Sequence, residues 1–136
     1  MGQQEQNIIL AKQMYQFGFA SDWDSLAAIL TEDFRIIEPE SLPFGGIYCG
    51  QRVMEEVFGK ILKTLNPKDV RQISMTANDI EVVSMLELVI ENGEQDLIAP
   101  VAEYFRVTNG KISEIRPYFF DTAAINTYLG GLSGKE

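Results

Sequence analysis

Three carboxylates stand within or at the end of apolar rows, and these are the places where the chain could build proton chemistry. Glu38 follows Phe34 and Ile36 at every second residue, so in a strand the acid ends a row that faces the core. Desolvation there disfavours the charged form, raises the pKa and makes the carboxyl a better base near neutral pH. The other reading is a rim glutamate that pairs with Arg35, Arg52 or a helix end. Glu103 shares a face with Leu97, Ala99, Val101, Phe105 and Val107, while Tyr104 and Arg106 point the other way. Such an acid is either a working group or half of a buried ion pair with an arginine such as Arg116. Asp121 closes the last strand in step with Ile115 and Phe119, and it also stands where it could cap a terminal helix, Ala123 to Leu129. An oxyanion formed beside any of these acids needs a hydrogen-bond donor, and the phenols of Tyr15, Tyr48 and Tyr118 are candidates.

Other chemistries are closed off by composition. The chain has no histidine, which removes the commonest metal ligand and the usual general base, and with them serine- or cysteine-histidine machinery. No metal and no cofactor are expected. Cys49 is the single cysteine and has no histidine to activate it, so it reads as an inert loop thiol. Gly45-Gly46 lacks the Lys-Ser or Lys-Thr of a phosphate loop. Twenty acidic against eleven basic residues leave a net charge of -9, which repels phosphate backbones and anionic bilayers, so no nucleic acid and no membrane is expected as a partner. The first residues carry neither a basic region nor an apolar run, and the cytoplasm is the expected compartment.

The elements that must position these groups follow from periodicity. The 136 residues, 46% of them hydrophobic, suit one domain, residues 1–136, with a sizeable core. Ile8, Ala11, Tyr15 and Phe19 recur at helical spacing, and Ser21 with Asp24 resembles a capping box before a short helix that carries Trp23, Leu26, Ala27 and Leu30. Phe34 to Glu38 reads as a strand that stops at Pro39, followed by a glycine-bearing loop to Gly50. Residues 53–65 form a third amphipathic helix, ended by Asn66-Pro67. The period then changes to two, with strands near 70–76, 80–90, 97–107 and 111–120. Asn92-Gly93 and Asn109-Gly110 are placed for two tight hairpin turns. Helices first and strands later give an α+β class.

This element order, with Phe105-Arg-Val-Thr-Asn-Gly-Lys-Ile112, Ile115-Arg-Pro-Tyr-Phe-Phe-Asp121 and Pro43-Phe-Gly-Gly-Ile-Tyr-Cys-Gly50, resembles the nuclear transport factor 2-like superfamily, in its SnoaL-like and ketosteroid isomerase-like branch. The resemblance implies a cystatin-like cone: a curved mixed or antiparallel sheet wrapped around about three helices and enclosing one pocket. It implies a homodimer formed through the sheet. Glu38-Pro39 stands where those isomerases carry the aspartate that moves the proton. Glu103 stands where they place a protonated aspartate that donates to the oxyanion, a role for which ketosteroid isomerase is the standard worked example. Asp121 matches the acid at the final strand end of the cyclases and epoxide hydrolases. Tyr15 falls one residue from the isomerase tyrosine, about 100° around the helix.

The expected ligand is a small hydrophobic organic molecule, walled by Tyr15, Phe19, Trp23, Phe44, Phe58 and Tyr118. The leading expectation is a cofactor-independent isomerase or cyclase that uses Glu38 or Asp121 as base, with Glu103 and a tyrosine as donors. A non-catalytic ligand-binding domain and a protein-interaction surface on the outer sheet face are the other readings.

Overall fold

A computed structural model describes residues 2–133. Helix α1 (Gln3–Phe19) and the short α2 (Trp23–Ala28) lead into β1 (Leu30–Glu38), β2 (Gly46–Cys49) and α3 (Met54–Leu65). The meander β3 (Asp69–Ala77), β4 (Glu81–Ile90), β5 (Leu97–Thr108) and β6 (Lys111–Phe119) follows, then α4 (Thr122–Ser133). One curved six-stranded sheet results, in the order β2-β1-β6-β5-β4-β3. It is antiparallel except where β1 runs parallel to β6. The inner face of the sheet and the helices enclose a core in which Phe34, Phe105, Ile112 and Ile115 lose all their exposure.

Helix α1 begins at Gln3, five residues before the apolar periodicity does. Its first turns are held by polar contacts instead. Buried Asn7 accepts a hydrogen bond from Gln3 at 2.7 Å and donates to the carbonyls of Asn78 and Asp79 at 3.1 and 3.0 Å. That clamp fixes the helix on the β3–β4 turn and so sets which α1 side chains face the sheet.

Four other expectations are corrected. Asp22, not Ser21, caps α2, accepting from the Ser25 amide at 3.3 Å; Ser21 has φ 55° and serves as the turn residue. Strand β1 starts at Leu30, a residue expected in the second helix. The loop after Pro39 contains β2, whose Gly46 to Cys49 pair antiparallel with Glu38 to Arg35. Asn109 and Gly110 adopt φ 52° and 77°, as a two-residue type I′ hairpin needs, but Asn92-Gly93 lies in a six-residue connection between Ile90 and Leu97.

Candidate functional site

Inward-facing positions of the sheet are apolar except along one row. Ile36 pairs with Ile115 in parallel register, so Glu38 lies level with Pro117, which pairs with Glu103, which in turn pairs with Ser84. The two glutamates are thus separated by one strand, with Cα atoms two strand spacings or roughly 10 Å apart. Pro117 occupies a central strand and withholds one ladder N–H between the two acids.

Above this row lies a cavity of about 100 Å³. Met14, Tyr15 and Phe19 of α1, Val57, Phe58, Ile61 and Leu62 of α3, and Ile36, Leu86, Leu88, Val101 and Phe119 of the sheet line it, with Glu38 and Glu103. Phe19 and Leu62, 55% and 47% exposed, mark its mouth. Phe58 packs against Trp23 and Phe19 at 5.7 and 6.2 Å between ring centroids. Its ring lies directly on the α1 backbone: a β-carbon at Gly18 would stand 2.4 Å from Phe58 Cζ. Glycine at that position is what allows α3 to bring the ring so close.

Tyr15 is buried, and its hydroxyl donates a short hydrogen bond to Glu103 Oε1. Burial and the neighbouring Glu103 charge push the phenol far above its usual range, so it stays protonated. Burial likewise raises the Glu103 carboxyl, although the Tyr15 bond pulls the other way; Glu103 is partly buried and lines the cavity. Glu38 is 2% exposed and its Oε2 has no hydrogen-bond partner among the described residues. Burial first, and the Glu103 charge second, raise its pKa to about 8. Two acids in one dry cavity do not both ionise cheaply, and at neutral pH Glu38 holds a proton that it would release in water.

Neither glutamate has the arginine partner considered for it. Arg35 and Arg116 both pair with Glu114, at 2.8 and 3.4 Å, on the outer side of the sheet, and Arg52 pairs with Asp24. Among the described residues no group of three potential ligands is placed to share a metal ion. No helix there is long and apolar enough to cross a membrane.

Solved structures share this arrangement of helices and sheet. An NTF2-like protein from Burkholderia xenovorans LB400 is 17% identical over 93% of this chain and 97% of its own, with a TM-score of 0.75. The chain has the nuclear transport factor 2-like fold. A protein from Jannaschia sp. CCS1, provisionally assigned as a SnoaL-like polyketide cyclase, is 16% identical over 95% of this chain and 94% of its own, TM-score 0.77. TerC, co-crystallised with polyporic acid, is 16% identical over 92% and 98%, TM-score 0.77. At these identities the likeness is one of fold. No family model matches the chain, and no curated protein does.

Within this nuclear transport factor 2-like fold, five of the ten residues singled out from sequence meet in the cavity: Glu38, Glu103, Tyr15, Phe19 and Phe58. Five do not line it. Trp23 supports Phe58 from behind, and buried Phe44 packs on Phe119 at 6.2 Å. Tyr118 is 56% exposed on the outer face, because it is one residue out of phase with Pro117 and Phe119. Asp121 is exposed beyond the end of β6 and caps α4, accepting from the Ala124 amide at 3.0 Å. The strand ends at Phe119, so no register carries the acid inward. Tyr48 donates to the Phe44 carbonyl at 2.8 Å. Ser84, fully buried and acting on the Tyr15 phenol, belongs to the site although sequence reasoning passed over it. It interrupts the apolar row of Val82, Leu86 and Leu88 just as Glu103 interrupts its own.

A prediction separates Asp121 from the cavity acids. Asp121→Ala should cost about 1 kcal/mol of stability, read by urea unfolding, as loss of an N-cap does, and should leave ligand binding in the cavity unchanged. Loss of binding without loss of stability would return Asp121 to the site.

Proposed function

We propose that the protein catalyses cofactor-independent proton transfer on a small hydrophobic carbonyl compound. One observation carries the reading: Tyr15 donates to Glu103 inside a cavity that also holds Glu38 with an unpartnered buried oxygen. In the working state the two acids hold one proton between them: Glu103 carries it on Oε2, with Tyr15 donating to Oε1, and presents it to a substrate carbonyl, while Glu38, ionised in that state, removes a proton from the adjacent carbon and returns it elsewhere. Donors fixed before reaction stabilise the developing oxyanion without reorganising, and low dielectric makes them worth more than in water. The cyclase assignment of one fold neighbour and the polyporic acid co-crystallised with another are consistent with this chemistry.

The volume limits the substrate. An engineered cavity of about 150 Å³ holds benzene and this one measures about 100 Å³, so the substrate is no larger than a single small ring, and even that ring extends into the mouth between Phe19 and Leu62. The direct experiment is solvent deuterium exchange into 3-cyclohexen-1-one and its conversion to the conjugated isomer, followed by NMR. Enzyme-dependent exchange at the carbon beside the carbonyl is expected. Exchange at the buffer rate with this ketone, cyclohexanone and cyclopentanone would leave a ligand-binding domain as the better description.

The homodimer is proposed on the outer sheet face, where Met85, Ala102 and Tyr118 form one row and Met85 and Tyr118 remain exposed. Exposed apolar rows of this kind are typical of association surfaces. Analytical ultracentrifugation at micromolar concentration should show a dimer that Tyr118→Glu converts to monomer; a monomeric wild type refutes it.

A further inference from the structure

We infer that the cavity takes a small lipophilic amine in its protonated form, the ammonium seated between Glu38 and Glu103 and the hydrocarbon body lying along the α3 wall. The inference rests on the same reading of this cavity as the ligand site, and it does not require turnover.

Two carboxyl groups face the cavity from either side of Pro117, and among the described lining residues there is no lysine or arginine to neutralise them. Cations nearby in the fold are committed elsewhere: Arg35 and Arg116 to Glu114, Arg52 to Asp24, Lys60 to Glu56. The groups that meet the acids from each element are accounted for. Helix α1 contributes the phenol of Tyr15, already spent on Glu103. Helix α3 presents only apolar side chains, such as Val57, Phe58 and Leu62; β4 presents Leu86, Leu88 and the buried Ser84, whose hydroxyl is directed to Gln72 at 3.4 Å; and β1, β5 and β6 add only apolar residues besides the two acids. Buried polar atoms are normally partnered, and the unpartnered Oε2 of Glu38, 2% exposed, is an acceptor with no donor. A primary ammonium supplies three donors and the missing positive charge in one group, and its desolvation is offset because it lets the pair ionise against a counter-ion.

Size and charge narrow the class further. The body that fits is small: an engineered cavity of about 150 Å³ holds benzene, and this one measures about 100 Å³, so a six-membered ring enters only by extending into the mouth between Phe19 and Leu62. Net charge -9 draws cations and repels anions. Because Glu38 holds its proton below about 8, an ammonium must displace that proton, and affinity falls as pH is lowered through this range.

Isothermal titration of the full chain with benzylamine and with benzyl alcohol, at pH 6.5 and 8.5, tests this. At pH 8.5 the amine is expected to bind at least tenfold more tightly than the alcohol, and to weaken roughly 20- to 30-fold at pH 6.5, while the alcohol changes little. Glu38→Gln and, independently, Glu103→Gln should each remove that preference. Equal affinity for amine and alcohol at pH 8.5, or a preference that survives both substitutions, overturns the inference. Ketone exchange without amine preference would remove this inference alone, whereas amine preference without ketone exchange would remove the catalytic reading alone.

Discussion

Replacing Glu38 by glutamine should lower the rate of ketone deuterium exchange by roughly 10²- to 10⁴-fold, the usual contribution of a positioned general base, while leaving the fold in place. Glutamine keeps the shape and the neutral charge that the carboxyl has below pH 8. What it loses is basicity. The wild-type profile carries the same signature. With a Glu38 pKa of about 8, kcat/KM should rise about tenfold per pH unit from pH 5 towards pH 8 and level off above it. Glu38→Asp should preserve the shape of that profile at a lower rate, since the shorter acid is similarly buried but reaches less far. A wild-type profile flat between pH 6 and 9, or a glutamine variant with undiminished exchange, would remove Glu38 from the chemistry.

The same group makes stability fall as pH rises. Its folded-state pKa of about 8 lies above the value of 4.5 expected in an unfolded chain. Between these values the folded protein binds a proton that the unfolded chain has released. The stabilisation is therefore complete below about pH 4.5 and is lost progressively up to pH 8, by at most ~1.4 kcal/mol per pH unit. Glu103, raised by burial, acts in the same direction. Urea unfolding at pH 5, 7 and 9 should show Glu38→Gln near wild type at the lowest pH and more stable by several kcal/mol at the highest, on the order of 4. Parallel curves for the two proteins would mean that Glu38 is solvated in the folded state.

Why the two glutamates were legible in the sequence and other parts of the site were not has a physical answer. A strand repeats every two residues, so a single acid in an apolar row declares its face wherever the strand starts. Glu38 and Glu103 needed no more than that. A helix gives no such certainty, because one residue of offset turns a side chain by about 100°. Tyr15 therefore lay out of line when counted against another family, yet it reaches Glu103, since the rotation of α1 is set by Asn7 on the β3–β4 turn. That clamp is polar, and apolar periodicity cannot show where such a helix begins. Asp121 followed the strand alternation past the residue where the strand stops. Strand β2 was hidden because four residues in a glycine-bearing loop are too few to display a period, and the start of β1 because Thr31, Glu32 and Asp33 break the alternation ahead of Phe34.

The contact between Gly18 and Phe58 ties two positions on different helices into one volume. Any side chain at position 18 must be matched by a smaller one at position 58, or the ring is driven from its place beside the cavity. In descent, the two sites are then not free to drift separately. Relatives that carry alanine at the first should carry leucine, valine or a smaller residue at the second, and such exchanges would let a lineage alter the bore of its binding chamber without touching either acid.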